Sequence, residues 1–283
     1  MRPALVCLLL GVSASALAQP LSVPESETFA LDGPSGTYEI TVTLPPGYDA
    51  SSPERYPTLY ALDGWWLREM VTGIARVAAI SSQTNVQPVV LVSIGLDGDE
   101  DAWTTQRNRD LTPSPYQSPV PGMTMSFGGI VLDSAGTGGA AAFLAFLMDD
   151  LFPRVEAGYR ADPAQRGILG HSFGGLFGAW MLGHQPEVFD RYLLISPSTW
   201  WRAGEVMIGG FAEARQLDRR VFLAVGEAED RILTRGVDAF RDALATDAVA
   251  ITQRMYPDAT HTSVLPRAIW DGFVALYGQP DAR

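Results

Sequence analysis

Residues 166–175 read Arg-Gly-Ile-Leu-Gly-His-Ser-Phe-Gly-Gly, a short apolar run that ends in Gly170-His-Ser-Phe-Gly174 and opens onto a second apolar stretch. This G-x-S-x-G pattern places a serine at the apex of a sharp strand-to-helix turn. Side chains on the flanking residues would collide with neighbouring backbone there, so glycines stand on both sides. The turn lifts the Ser172 hydroxyl into a cleft at a helix N-terminus, where free N–H groups and the positive end of the macrodipole favour negative charge. The pentapeptide alone is weak evidence. Its context strengthens it: Gly167, Ile168 and Leu169 suit a buried strand, and Leu176, Phe177, Trp180 and Met181 recur at helical spacing. A capping serine at a glycine-rich junction would require neither an acid nor a histidine further along the chain.

The rest of the chain carries the alternation that such a turn needs. Glu27 to Leu31 and Thr37 to Leu44 read as an antiparallel hairpin at a sheet edge, followed by a turn-rich Pro45-Pro-Gly-Tyr48 loop. Strands are expected at Pro57–Leu62, Val89–Gly95, Ile168–His171, Tyr192–Ser196, Val221–Val225 and Ala250–Tyr256. Helices are expected at Trp66–Ile80, Ala140–Tyr159, Leu176–Leu182, Gly204–Leu217, Gly236–Ala245 and Leu265–Tyr277. The order predicts an α/β fold, a doubly wound and mostly parallel sheet with helices on both faces. One segment breaks the pattern, Asp97 to Gly139, rich in Gly, Pro, Ser and Asp. It reads as a long substrate-covering loop because it carries Trp103, Arg107, Arg109 and Tyr116.

Composition limits the alternatives. The 283 residues, 47% of them hydrophobic, suffice for one catalytic domain, expected over 19–283. Met1-Arg-Pro, the apolar run from Ala4 to Val12 and the small residues up to Ala18 have the three parts of a secretory signal peptide, so 1–18 is expected to be removed and the mature protein to be periplasmic or secreted. The single cysteine, Cys7, lies in that segment and leaves a mature chain without disulfides. No segment suggests a membrane anchor in the mature chain. All 20 basic residues are arginine against 32 acidic ones, a formal charge of −12 that makes nucleic acid a poor partner.

Only three histidines are available as a general base. His171 belongs to the turn and His184 to a helix end, whereas His261 follows the last expected strand, in a loop at the carboxyl end of the sheet. Its imidazole would take the Ser172 proton during attack and return it to the leaving group. A carboxylate should fix its tautomer, and Val225-Gly-Glu-Ala-Glu-Asp-Arg231 offers Glu229, then Asp230, then Glu227. Two backbone N–H groups should receive the oxyanion. Phe173 supplies one, and Trp65, or alternatively Gly64, supplies the other after the Thr58–Leu62 run.

Taken together, Tyr60-Ala-Leu-Asp-Gly64, Arg109-Asp-Leu-Thr-Pro113, Pro153-Arg-Val-Glu156, the Ser172 turn, Ser196-Pro-Ser-Thr-Trp-Trp201 and the His261 loop resemble the α/β-hydrolase esterases that include S-formylglutathione hydrolase (esterase D), the enterobactin and salmochelin siderophore esterases and the antigen 85 acyltransferases. The similarity runs from about Tyr38 to Tyr277, nearest to the bacterial siderophore-esterase branch. The resemblance implies a serine carboxylesterase with no metal or cofactor, acting on a small-molecule ester, in a narrower version a catecholate siderophore lactone. It implies Ser172 as nucleophile, His261 as base, Glu229 as acid, and Trp65 and Phe173 as oxyanion donors. Arg107 and Arg109 would hold an anionic substrate unless Asp110 pairs with them, and Trp200 or Trp201 would wall the pocket unless they only pack. Acyl transfer to a sugar or lipid alcohol, or a catalytically silent binding role on the same scaffold, would use the same residues.

Overall fold

A computed structural model describes residues 25–118, 125–127 and 130–279, so the signal-like segment lies outside the described residues. Among the described residues, ten strands and their helices follow in the order β1 (Ser26–Gly33), β2 (Gly36–Thr43), β3 (Tyr56–Ala61), α1 (Gly64–Ile80), β4 (Val90–Leu96), α2 (Glu100–Asp110), β5 (Met125–Phe127), β6 (Ile130–Leu132), α3 (Ala140–Phe146), α4 (Phe152–Gly158), β7 (Ala161–His171), α5 (Phe173–His184), β8 (Arg191–Ile195), β9 (Arg219–Gly226), α6 (Arg231–Leu244), β10 (Val249–Tyr256) and α7 (Leu265–Tyr277). Eight strands form one sheet in the order β1-β2-β4-β3-β7-β8-β9-β10, and β5 and β6 pair separately. The β1–β2 and β2–β4 pairs are antiparallel and every pair from β4 to β10 is parallel.

Both faces of the sheet's centre are covered, so strands such as β3, β4, β8 and β9 alternate between two cores rather than between core and water, while the edge strands β1 and β10 keep exposed residues. Leu59, Ala61, Leu193, Ile195, Phe222 and Ala224 point towards α1 and α7. Tyr60, Tyr192, Leu194, Val221 and Leu223 point the other way, among Phe143, Leu151, Phe152, Phe177 and Phe240. Each apolar side chain buried in this way stabilises the fold by about 1.5–3 kcal/mol. α7 reaches β8 closely because Gly272 has no side chain: a Cβ there would lie 2.6 Å from Leu193.

Three expectations change. The 97–139 segment contains α2, which has no apolar stripe. It is held instead by its N-cap Asp99, accepting from Ala102 N–H at 3.0 Å, by Glu100 and Asp101 in its first turn and by Arg107 and Arg109 in its last. No α-helix forms over 204–217, where short 3₁₀ turns stand at Trp201–Ala203, Glu205–Met207 and Ala214–Gln216. Gly204 and Gly210 take φ of 83° and 69° there, so the chain leaves right-handed helix before a second turn forms. The expected 140–159 helix is interrupted by a π turn at Leu147–Leu151, just before Pro153, whose missing N–H would leave a regular ladder short of a bond.

Candidate active site

The turn between β7 and α5 carries Ser172 at φ 57°, ψ −112°, a backbone region that costs a residue other than glycine on the order of 1–3 kcal/mol. Neighbouring backbone holds it there. Ser172 N–H donates to the Ile195 carbonyl at 3.0 Å, and the Ser172 carbonyl accepts from Leu176 and Ser198 at 2.9 and 3.0 Å. Two of the three glycines at the turn are required by contact: a Cβ on Gly170 would lie 2.2 Å from the Gly174 carbonyl, and one on Gly175 would lie 2.8 Å from Pro197 Cα. Gly174 has more room, with its nearest neighbour, the Asp63 carboxylate, at 3.4 Å. The Ser172 hydroxyl is almost buried and stands 3.4 Å from that of Ser198.

The loops after β9 and β10 meet beside this turn. Ala228 N–H donates to the Ala259 carbonyl at 3.0 Å and Glu227 N–H to the Tyr256 carbonyl at 2.9 Å. Gly226 permits the approach, since a Cβ there would lie 2.1 Å from the Ala259 oxygen. The contact delivers His261 to Glu229, with Nδ1–H donating to Oε2 at 2.6 Å. The other Glu229 oxygen accepts from Ser196 Oγ and Gly226 N–H, each at 2.6 Å. Burial of this carboxylate pushes its pKa up, but the hydrogen bonds from His261, Ser196 and Gly226 outweigh it, so the net shift is downward. A cavity of about 420 Å³ opens over these groups, lined by Ser172, His261, His171, Phe173, Thr262, Trp66, Glu100, Trp103, Thr104 and Arg107. A partly exposed imidazole on a buried carboxylate, beside a hydroxyl in one cleft, is equipped to move a proton during attack on a carbonyl.

Residues 34–261 match the sequence profile of the Esterase family. The chain is a member of this esterase family. It is 29% identical over 242 residues to the ferri-bacillibactin esterase BesA of Bacillus subtilis, covering 81% of each chain. It is 33% identical over 190 residues to the siderophore triacetylfusarinine C esterase of Aspergillus fumigatus, covering 65% of this chain and 59% of that one. Among solved structures, the BES protein from Bacillus cereus superimposes with a TM-score of 0.81 at 24% identity, over 93% of this chain and 100% of that one. An IroE-like serine hydrolase from Shewanella oneidensis superimposes with a TM-score of 0.74 at 25% identity, over 89% and 80% of the two chains. The α/β-hydrolase fold and the esterase class expected from the motifs are therefore those of this protein.

Other expected site residues of the esterase lie elsewhere. Asp230 caps α6, accepting from Ile232 N–H at 2.9 Å, and Glu227 is exposed, so neither of these alternatives pairs with His261. Arg107 lines the cavity, but its guanidinium is committed to Asp63 rather than Asp110, through bonds of 2.8 and 3.1 Å, and lies between the rings of Trp103 and Phe173. Arg109 is exposed on α2 and takes no part in the cavity lining, because the helix turns it away from Arg107. Trp201 is fully buried against Phe173 and Tyr116 with Nε1 donating to Ser114, and neither it nor Trp200 lines the cavity. The walls are instead Trp66 and Trp103, the second brought in by α2. Phe173 opens α5, and Gly64 and Trp65 open α1 behind the left-handed Asp63, so their N–H groups belong to first helical turns that lack intrahelical acceptors. Gly95 lets the α1 turn approach β4: a Cβ there would lie 2.9 Å from Trp65 N.

Proposed function

We propose that the esterase works through a Ser172 acyl-enzyme. His261 takes the Ser172 proton as the hydroxyl attacks the ester carbonyl and gives it to the departing alkoxide. It then takes a proton from water as that water attacks the acyl carbon, and passes the proton to Ser172 Oγ as the acyl–oxygen bond breaks, releasing the free acid. Glu229 holds the imidazole with its proton on Nδ1 and stabilises the imidazolium. Phe173 N–H and Trp65 N–H, with Gly64 as the alternative second donor, receive the oxyanion. The observation that carries this reading is the 2.6 Å His261–Glu229 pair at the rim of the cavity that holds the strained Ser172.

The substrate proposed is a siderophore ester, with 1–18 acting as an export signal that sends the enzyme to where such compounds are met. Support comes from the relatives, one named for ferri-bacillibactin and another for triacetylfusarinine C. Arg107 and Arg109 lend less support than their sequence positions suggest, since one is paired with Asp63 and the other faces away. The decisive experiment is organophosphonate labelling followed by peptide mapping, alongside turnover of p-nitrophenyl esters and of iron-loaded siderophore esters. Label is expected on Ser172 alone, and Ser172→Ala is expected to lose nearly all turnover. Wild-type turnover in that variant would refute the acyl-enzyme. Cleavage of simple esters but of no siderophore ester would refute the substrate. Release of a new ester in place of the acid when alcohols are added would reassign the reaction as acyl transfer.

A further inference from the structure

His171 occupies the variable position of the G-x-S-x-G turn, and nothing in the proposed chemistry uses it. Its side chain is nonetheless placed against the machinery on two sides. Nε2–H donates to the main-chain carbonyl of His261 at 2.8 Å. Its ring lies 4.4 Å from the His261 ring, centroid to centroid, and 5.8 Å from the ring of Trp66. Only 3% of the residue is exposed, and its other ring nitrogen, Nδ1, has no hydrogen-bond partner among the described residues.

We infer that His171 is a positioning residue that clamps the His261 loop to the nucleophile turn and so sets where the base stands relative to Ser172. Glu229 fixes His261 at one ring atom, Nδ1, which still permits the loop backbone to shift and the imidazole to swing about that bond. His171 supplies a second, different hold: it fixes the backbone of the same residue and lies in tilted contact with its ring. Because His171 is covalently next to Ser172, any displacement of the turn carries the histidine loop with it. The clamp needs a neutral ring with its proton on Nε2. Burial foremost, and then the positive neighbours His261 and Arg107, hold the His171 pKa well below the usual histidine range. The donor therefore persists as the pH falls through the ordinary histidine range. His184 faces His171 from no packed element. The charged and titratable groups around it are His261 on its loop and Arg107 on α2, with Glu229 reached through His261.

This inference rests on the assignment of Ser172 and His261 above, and the test separates the two. His171→Gln and His171→Met are nearly equal in volume, but only Gln carries an N–H able to reach the His261 carbonyl. Each variant of the full chain is counted for competent sites by stoichiometric phosphonate labelling and then assayed for kcat and KM with a p-nitrophenyl ester. The expected result is at least a tenfold fall in kcat for the Met variant with KM within twofold, and kcat within about threefold of the parent for the Gln variant. Displacements of the order of 1 Å can cost 10²-fold. A packing role would move both variants alike, so equal kcat values for Gln and Met overturn the inference. If the Met variant does not fold, His171→Phe replaces it, keeping a flat ring on His261 without the donor, and the same comparison applies. Ser172→Ala is run in parallel. Retained turnover there defeats the underlying assignment, whereas an inactive Ser172→Ala with equal Gln and Met variants defeats the clamp alone.

Discussion

Asp63→Asn is the substitution that tests most of this architecture at once. Asp63 is the left-handed residue, φ 57°, from which the α1 turn departs towards Trp65, and its side chain is 1% exposed. Its carboxylate accepts two bonds from Arg107 and one from Trp103 Nε1 at 3.2 Å. Asn tolerates the left-handed backbone and is nearly the same size, so the change removes the charge and turns one of the two acceptor atoms into a donor. It leaves the Arg107 guanidinium 7% exposed, 5.2 Å from each of two aromatic rings, with no counter-charge. Breaking a buried pair from one side costs about 3–5 kcal/mol. The remaining amide oxygen can still accept one bond, which places the expectation near the lower end, about 3 kcal/mol. At roughly 2–4 °C per kcal/mol for a chain of this size, Tm should fall by about 6–12 °C in a calorimetric melt. Adding Arg107→Met should restore part of that loss, because an apolar side chain does not need the missing anion. Ester turnover by Asp63→Asn should fall by up to about 10²-fold, the scale set by loss of one oxyanion donor, since the turn bearing Trp65 loosens. A Tm drop below about 2 °C, or Arg107→Met failing to rescue, would refute the view that this pair holds α2 against the site.

Glu229→Gln should cut kcat by up to about 10⁴-fold in the same ester assay, as expected when an imidazole loses the partner that sets its tautomer. Glu227→Gln should leave kcat unchanged, and Asp230→Ala should lower stability by about 1 kcal/mol through the lost α6 cap without touching kcat. Asp110 accepts from Tyr38 at 2.5 Å and from Ser35, and burial raises its pKa from the model-compound range to about 6. Below about pH 4 the carboxyl is protonated folded or unfolded. Between pH 4 and 6 the folded state binds the extra proton, so stability should decline as pH rises through that window, and urea unfolding of Asp110→Asn should lack the decline. Gly170→Ala should be far more damaging than Gly174→Ala in thermal melts, because the first Cβ meets backbone at 2.2 Å and the second meets a carboxylate at 3.4 Å.

What could be read before any coordinates was whatever local chemistry forces. The Ser172 turn announces itself because Gly170 answers to a contact with Gly174, within the motif itself, and strands such as β4 and β8 announce themselves because they are buried along their whole length and nearly all apolar. Glu229 stood out from Asp230 and Glu227 only by offset. The distinction is made in space, where Gly226 lets the β9 loop meet Ala259 and one of three acids turns inward. Pairings across the fold left no such mark: Arg107 could equally have met Asp110, its near neighbour in sequence, and nothing in the residues reveals that Asp63, 44 positions earlier, takes it instead. The Trp200-Trp201 pair stayed open between two readings because a bulky aromatic after a strand suits a pocket wall and a buried anchor equally well, and Trp201 packs as an anchor.

α2 is the instructive omission. Its sequence is polar apart from Ala102 and Trp103, so no periodic stripe reveals it, and its stability comes from a cap, dipole-matched charges and one buried ion pair. That makes it dependent on the rest of the site in a way the core helices are not. It supplies Trp103 and Glu100 to the cavity wall, and its firmest anchor is the residue from which the turn to Trp65 begins. The same economy recurs on the other side, where the Ser172 carbonyl takes Ser198 N–H and the residue before Ser172 takes the His261 carbonyl. Each loop at the carboxyl end of this sheet is therefore bonded to another loop of the site and not merely to its own strand. Substitutions that weaken one of these ties should consequently change kcat together with the position of a neighbouring loop, while substitutions in α7, which packs behind the sheet, should change stability with kcat preserved.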